Sequence, residues 1–344
     1  CRLRYVAVLI GGAYAGLAGS YLTIAYMNSF TENVVSGRGY IAFNKETTFG
    51  RPTFIGDVRV AGTLNVMDLL LAEAASRPAP PTRLSVFPGG TVNVTNQTWV
   101  GSGADVSIIV YSNATVNITK TGPANFWGQN VNRTPIWVKK HGVFNCRIPL
   151  GGKGDCTKVA FRGEGVVKLA DTGSKAEVPH TVEIDGNTFA IDAFTPGCPL
   201  VLKGSPTWGA MSDWTYGLAP IALPAGETLT IDTDDVDGNG AHTVTLAAKV
   251  TADNLVVKGA GTLKLAVAQD VRAFSFAEGT KLAIDDSILV PGAWTTVLTF
   301  PKDATVDVED LPFDSGKVKV RVVETEDAVQ VQAKPRVGGL LIIR

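Results

Sequence analysis

From Arg83 onward, apolar and polar residues alternate along the chain with a period of two. This period is typical of strands that bury one face, because successive side chains of a strand point to opposite sides. The runs are short, they begin about every 10 to 20 residues, and Gly, Asn, Asp or Pro bounds each of them. The pattern predicts an all-β region, and its clearest runs are 91–95, 114–119, 228–232, 243–246, 317–321 and 329–332.

Two pairs of stretches match at long spacing. Residues 159–170 match 255–266 at an offset of 96, and residues 186–192 match 279–285 at an offset of 93. We therefore expect a multi-strand unit of about 95 residues that contains several shorter rungs. The first match contains the pairs Gly163/Gly165 and Gly259/Gly261, which lack the third glycine and the following helix of a dinucleotide fingerprint. They predict a tight turn or bulge between rungs.

Tandem strand-Gly-x-Gly-Thr-Leu-x-Leu stretches over about residues 155–335 resemble the passenger regions of autotransporter-like bacterial surface proteins. The resemblance implies a right-handed β-helix that displays loops or adhesive faces outside the cell. Stacked rungs would bury a narrow apolar core, and each rung would satisfy the edge hydrogen bonds of the last. We expect a β-solenoid, with tandem β-sandwich domains as the alternative.

The start of the chain has a different composition. Val6 to Tyr26 is a run of 21 residues without a charge, long enough to cross a hydrocarbon core of roughly 30 Å as a helix. Gly12 and Gly16 share one face of such a helix, and Arg2 and Arg4 place its N-terminal end in the cytoplasm. We predict a transmembrane helix over residues 6–26. A signal peptide and a buried soluble helix are the alternatives.

Residues 4–26, together with 30–33 and 36–42, resemble the inner-membrane permease subunits of bacterial ABC importers for simple sugars and nucleosides. In that family an analogous glycine-rich helix leads through a short external loop into the next span. No second span follows here, and one helix cannot build a transport path. The resemblance therefore implies a permease fragment fused to an unrelated β region.

These patterns divide the chain into five segments. Within the second, residues 64–75 predict a short amphipathic helix and residues 77–82 a stiff Pro-rich linker. The segments are a hydrophobic membrane segment at 1–43, a transitional segment with its linker at 44–82, an N-terminal β region at 83–158, the β repeats at 159–334 and a tail at 335–344.

The composition argues against two classes of protein, disordered proteins and nucleic-acid-binding proteins. With 45% hydrophobic and 18% charged residues, the chain is not disordered by composition. The formal net charge is −1 and no Lys/Arg-rich run occurs, so we expect no nucleic-acid partner.

Two cysteines bracket a turn-rich loop. Cys146 and Cys156 could close it as a disulfide, which would require an exported compartment, and two free buried thiols are the alternative. A metal site built on cysteine is not expected, because there is no CxxC pair and the three histidines lie far apart in the sequence.

The most acidic stretch, 232–240, carries the one cofactor prediction. Asp235, Asp237 and Asn239 stand at the first, third and fifth places of a calcium loop, but Leu246 occupies the twelfth place, where an EF-hand needs Glu. The stretch predicts either a calcium-stiffened turn or a solvated loop.

Aromatic residues suggest a ligand surface. Trp127, Trp208, Trp214 and Tyr216 lie in loop-like stretches, as does Trp137, and aromatic platforms can bind sugars, although core packing is the other use of such rings. No catalytic centre is predicted. The three histidines have no nucleophile motif near them, and adjacent carboxylates on a strand point to opposite faces.

The sequence thus favours a non-enzymatic bacterial β-repeat protein at the cell surface or secreted, with a structural or adhesive role. Its expected ligand is a glycan or another protein, and residues 6–26 would anchor it in the membrane. Membrane transport through the permease-like segment is the first alternative, and a polysaccharide-active β-helix enzyme is the second.

Overall fold

The computed structural model describes residues 22–23, 33–71, 82–100, 106–119, 124–127, 135–153, 158–171, 180–192, 197–304, 311–313 and 318–336. The chain divides into two compact units, Cys1–Thr188 and Phe189–Arg344. Within the described residues every regular element is a strand, apart from a 3₁₀ turn at Asp286–Ile288. The prediction of an all-β fold is confirmed.

The first unit contains the strands up to β16, and β17 begins at its last residue. The strands are β1 (Leu22–Thr23), β2 (Asn33–Phe43), β3 (Thr47–Phe49), β4 (Pro52–Val60), β5 (Thr63–Leu71), β6 (Thr82–Val86), β7 (Thr91–Val100), β8 (Val106–Val110), β9 (Thr115–Ile118), β10 (Ala124–Trp127), β11 (Ile136–Val138), β12 (Val143–Cys146), β13 (Leu150–Lys153), β14 (Lys158–Arg162), β15 (Val166–Leu169), β16 (Thr181–Asp185) and β17 (Thr188–Ile191).

These strands pair in parallel as successive rungs. One series runs β2, β4, β6, β8, β11, β14, β16, and a second runs β3, β5, β7, β9, β12, β15. Thr91 pairs with Thr115 and Thr115 with Val143, so neighbouring rungs are 24 and 28 residues apart in sequence. Parallel pairing at this spacing needs crossovers rather than hairpins, an arrangement compatible with a β-solenoid.

The second unit holds the remaining strands. They are β18 (Leu200–Lys203), β19 (Thr207–Ala210), β20 (Trp214–Tyr216), β21 (Ile221–Ala222), β22 (Thr228–Asp235), β23 (Thr243–Leu246), β24 (Val250–Lys258), β25 (Thr262–Leu265), β26 (Gln269–Phe276), β27 (Lys281–Ile284), β28 (Thr295–Pro301), β29 (Val318–Glu324) and β30 (Ala328–Pro335). The strands β19, β22, β24, β26 and β28 pair in parallel, as do β20, β23, β25 and β27. At the C-terminal end, β30 pairs antiparallel with both β28 and β29.

The core of the first unit is a set of apolar columns. Val58, Leu84, Ile108, Ile136 and Phe161 occupy matching positions on five successive rungs, and all five are buried. Alternate residues of the same strands face outward, so period-two patterning turns directly into an apolar interior and a polar exterior.

One outward column is polar throughout. Asn65, Asn93, Asn117 and Asn145 follow one another on β5, β7, β9 and β12, and each Nδ2 donates to the Oδ1 of the preceding asparagine at 2.9, 2.9 and 3.4 Å. The Nδ2 of Asn65 donates to Glu46 Oε1 at 3.1 Å. The ladder ties four rungs in register, because a slip of one residue would break every link.

The Gly-x-Gly pairs lie where they were predicted, in turns between two strands. Gly163 separates β14 from β15 and has φ of 117°, and Gly259 separates β24 from β25 and has φ of 94°. Only glycine adopts this left-handed region without steric cost. The matched stretches are therefore the same strand–turn–strand corner, and the offset of 96 spans several rungs.

The segment before Arg83 differs from its prediction. The helix expected at 64–75 is wrong, because Thr63–Leu71 forms strand β5. The strands β4 and β5, which precede the predicted linker, pair with β6 and β7, which follow it, so both sides belong to one parallel stack. The predicted boundaries near residues 83 and 159 do not coincide with the division at Thr188.

The predicted membrane helix at 6–26 lies almost entirely outside the described residues. Leu22 and Thr23 are described, and they form β1, which pairs in parallel with Ile41 and Ala42. Among the described residues, no helix has the length and hydropathy needed to cross a bilayer.

Candidate functional site

Three of the four aromatic residues predicted to bind ligand are in the core of the second unit. Trp208, Trp214 and Tyr216 are only 0%, 2% and 0% exposed. The Trp208 ring stacks on Trp214 at 4.3 Å between centroids, meets Tyr216 edge-on at 5.3 Å and lies 4.9 Å from Phe189. Their prediction as a ligand platform is wrong, because rings buried in this way cannot contact a ligand. The side chain of Trp127, on β10, lies outside the described residues.

The acidic stretch is a turn whose carboxylates already have partners. Asp235 Oδ1 accepts from the backbone N–H of Asp237 at 2.6 Å, and its Oδ2 lies 3.0 Å from His242 Nε2. Burial alone would raise the pKa of Asp235, but hydrogen bonds from His242 and from the backbone N–H groups of Asp237 and Asn239 bring it below its usual value.

The neighbouring carboxylates point elsewhere. Asp232 forms a salt bridge with Lys258 at 3.0 Å, and Asp234 Oδ1 accepts from the backbone N–H of Ala260 at 2.8 Å. In the part of the chain that is described, no group of three His, Cys, Asp or Glu side chains could hold a metal ion. The expected calcium ligands Asp235, Asp237 and Asn239 thus form a hydrogen-bonded turn that needs no ion to explain it.

Cys146 is a free thiol in the first unit, so the predicted disulfide to Cys156 is not formed. Cys146 stacks between Ile118 and Leu169 on adjacent rungs, and its Sγ donates to the carbonyl of Ile148 at 3.2 Å. Burial raises the pKa of the thiol to about 12, which keeps it protonated and unreactive. Cys156 lies outside the described residues.

An outward-facing row in the first unit combines an aromatic ring with charge. Ile109, Trp137, Arg162 and Asp185 occupy matching positions on β8, β11, β14 and β16, and all four are partly exposed. Lys139 Nζ lies 4.7 Å from the centroid of the Trp137 ring, and Arg162 Cζ lies 5.9 Å from it. We call Trp137, Lys139 and Arg162 the Trp137 cluster.

A buried glutamate orients the basic side of this cluster. The Glu183 side chain is 2% exposed; it lies 3.0 Å from Lys158 Nζ and 3.6 Å from Arg162 Nη2. Asp185 is 3.8 Å from Arg162 Nε. Because Glu183 is enclosed and neutralised by two cations, the two carboxylates hold the arginine in place and are not an accessible acid–base pair.

Sequence reasoning singled out Trp137 but missed Arg162, Glu183 and Asp185. These residues meet because Trp137, Arg162 and Asp185 are one rung apart, at steps of 25 and 23 residues. A spacing of one rung length would have predicted that these residues are neighbours. That length, however, can be determined only when the strand pairing is known.

The second unit has a cavity of about 710 Å³ beside β23, β25 and β27. Its lining residues are Thr243, Thr262, Lys264, Lys281, Leu282, Ala283, Ile284, Asp286, Pro312, Phe313 and Val318. Lys264 is committed to Asp285, whose carboxylate lies 2.6 Å from Nζ and also accepts from the backbone N–H of Ser287 at 2.9 Å. Hydrogen bonds from Lys264 and from Ser287 hold the pKa of Asp285 well below its usual value.

This lowered pKa predicts a pH-dependent contribution to stability. Because the folded pKa of Asp285 is below the unfolded value of about 3.9, its stabilising effect is complete above that value and is lost as the pH falls through the folded pKa. We expect Asp285→Asn to lower the free energy of unfolding by roughly 1 kcal/mol at pH 7 and by less than half as much at pH 2, where the contribution of the carboxylate is being lost. Urea denaturation at both pH values measures this difference; an equal loss at both would contradict it. Asp286→Asn, next to it but not bonded to Lys264, is the control.

Comparisons with known proteins cover little of the chain. No protein-family model matches it, and no solved structure matches it. Among curated proteins, it is similar to the putative glucose ABC transporter permease protein TsgC13 of Haloferax volcanii, with 44% identity over 41 residues, which is 12% of this chain and 12% of that protein. The predicted resemblance to ABC permeases is confirmed for this short fragment alone, and the resemblance to autotransporter passengers stays a prediction.

Proposed function

We propose that this chain is a non-enzymatic β-repeat protein of the bacterial cell surface or of the secreted fraction, built as a right-handed β-solenoid with a structural and adhesive role. The observation that carries the proposal is the Trp137 cluster on the outward face of a regular parallel stack. A stack of rungs presents long flat faces. Such faces suit extended ligands better than they suit small molecules, which bind in enclosed pockets.

The chemistry of the cluster favours a glycan. An indole ring offers an apolar surface to the C–H faces of a sugar, while the adjacent ammonium and guanidinium groups donate to hydroxyl or carboxylate oxygens. Trp137 is partly exposed, and Arg162 is held by Glu183 and Asp185, so these groups are positioned before any ligand arrives. A rigid site of this kind loses little entropy on binding.

Binding of the full chain to a panel of immobilised neutral and acidic oligosaccharides tests this function. We expect at least one to bind, and Trp137→Ala to weaken its binding about tenfold or more through the loss of one aromatic contact. Tyr111→Ala, in the same unit but stacked on Phe87 at 4.9 Å, is the matched control and should bind as the wild type does. Binding to no oligosaccharide, or equal binding by both variants, would contradict the proposal.

Membrane transport is a second candidate, and the 41-residue match to a permease supports it. In that case the β region is a fusion, and the function lies in the matched fragment. Removing the matched fragment should then abolish membrane transport by the chain. Oligosaccharide binding by the Trp137 cluster should survive this deletion.

A further inference from the structure

The C-terminal antiparallel sheet of the second unit presents a polar outward face. Val329, Val331 and Ala333 of β30 point inward and are buried, so the residues between them point outward. Gln332 on this face lies directly opposite Thr296 of β28 and Arg321 of β29. The next row pairs Lys334 of β30 with Lys319 of β29. We call Trp294, Thr296, Lys319, Arg321, Gln332 and Lys334 the C-terminal face.

An indole ring gathers two cations on this face. Arg321 Cζ lies 4.3 Å from the centroid of the Trp294 ring, and Lys334 Nζ lies 4.7 Å from it. Both distances are within the range of attractive cation–π contacts. The ring therefore holds a guanidinium and an ammonium group close together, against the repulsion between their charges.

A chain of hydrogen bonds fixes the polar groups beside these cations. Arg321 donates to Gln332 Oε1 through Nε at 3.1 Å and through Nη2 at 2.7 Å. Gln332 Nε2 donates to Gln330 Oε1 at 3.2 Å, and Thr296 Oγ1 donates to the same oxygen at 3.1 Å. The hydrogen-bond partner of Arg321 is thus neutral, and among the residues that the structure describes no carboxylate pairs with its guanidinium group.

The charge on this face differs from that of three paired lysines elsewhere in the unit. Lys249, Lys258 and Lys264 each form a salt bridge with an aspartate. Within the described residues, Lys319, Arg321 and Lys334 form none. Three cations thus share one face of a small sheet in a chain whose formal net charge is −1. Such local excess charge marks a surface for an anionic partner.

We propose that the C-terminal face binds an anionic polysaccharide through its carboxylate groups. Arg321 and Lys334 would hold the carboxylates, and the Gln332 and Thr296 side chains are placed for hydroxyl groups. A bilayer is a poorer partner, because the large apolar side chains that are exposed in the described residues, Met67, Leu218 and Val290, lie outside these three strands. A nucleic acid is also a poorer partner, because the face offers one aromatic ring and not a series for stacking bases. The inference does not rest on the Trp137 cluster, which lies in the other unit.

Binding of the full chain to immobilised polygalacturonate tests the inference. We expect binding that weakens as salt is added, and that falls about tenfold or more in the double variant Arg321→Gln/Lys334→Gln. Lys249→Gln removes a charge that Asp270 already compensates, and it should change binding less than about twofold. Trp294→Ala keeps Arg321 and Lys334 but removes the ring that holds them together. The affinity of this variant for polygalacturonate should therefore lie between that of the wild type and that of the double variant.

Parallel measurements separate the polysaccharide from other anionic partners. Single-stranded DNA and phosphatidylserine vesicles should each bind more weakly than polygalacturonate, and neutral dextran should not bind. Stronger binding to DNA or vesicles, or equal binding by the double variant and Lys249→Gln, would overturn the proposal. Trp137→Ala should leave polygalacturonate binding to the C-terminal face intact, so failure here and failure of the Trp137 cluster can be told apart.

Discussion

Replacing Trp208 with alanine is expected to lower the free energy of unfolding of the second unit by about 3–5 kcal/mol. Trp208 is fully buried and contacts Phe189, Trp214 and Tyr216 through its ring. Its removal would leave a cavity that strands held by parallel pairing cannot close. Urea denaturation of the full chain, followed by circular dichroism, measures the loss.

Trp137→Ala is the matched control for this prediction. Trp137 is partly exposed on an outward face, so its loss should cost about 1 kcal/mol or less. The two substitutions then separate stability from binding. Trp208→Ala should lower stability, and Trp137→Ala should weaken oligosaccharide binding. If Trp208→Ala instead left stability unchanged and abolished oligosaccharide binding, the sequence-based interpretation of Trp208 as a ligand platform would be right and the buried assignment wrong.

Much of the fold was predictable because each strand carries its own pattern. The runs at 228–232 and 243–246 alternate with a period of two, and they lie in β22 and β23 with every second residue buried. The helix prediction for residues 64–75 was wrong because a short apolar run such as Leu69–Leu71 is compatible with a helix as well as with a strand. What decides for a strand there is pairing with β3 and β7, which the local sequence does not contain.

The candidate sites were less predictable than the fold. Trp208 and Trp137 both lie between turn-forming residues, and no local pattern tells which ring faces the core. The two rings differ in which face of their strand they occupy. Trp137 points outward between the buried residues Ile136 and Val138, whereas Trp208 points inward on β19. The partners of Arg162 and Arg321 come from other rungs or strands, so these clusters exist only once the register is set.

The Gly-x-Gly corners lead to the second large prediction. At the second glycine of each pair, an added Cβ would overlap backbone atoms: at Gly165 the carbonyl oxygen of Lys139, and at Gly261 that of His242. These carbonyls belong to the neighbouring rung, so relief requires two rungs to move apart. We expect Gly165→Ala and Gly261→Ala each to lower the free energy of unfolding by about 2–3 kcal/mol, measured by urea denaturation.

Gly279→Ala distinguishes this overlap from the ordinary cost of replacing a glycine. Gly279 has φ of +87°, but nothing lies within 4 Å of its added Cβ, so alanine there should cost only the strain of the left-handed conformation, about 1 kcal/mol. A larger loss at Gly261 than at Gly279 would mean that the close approach of two rungs requires the second glycine of the pair. An equal or smaller loss at Gly261 would mean that the rungs can separate at this corner, and that the pair serves only to turn the chain.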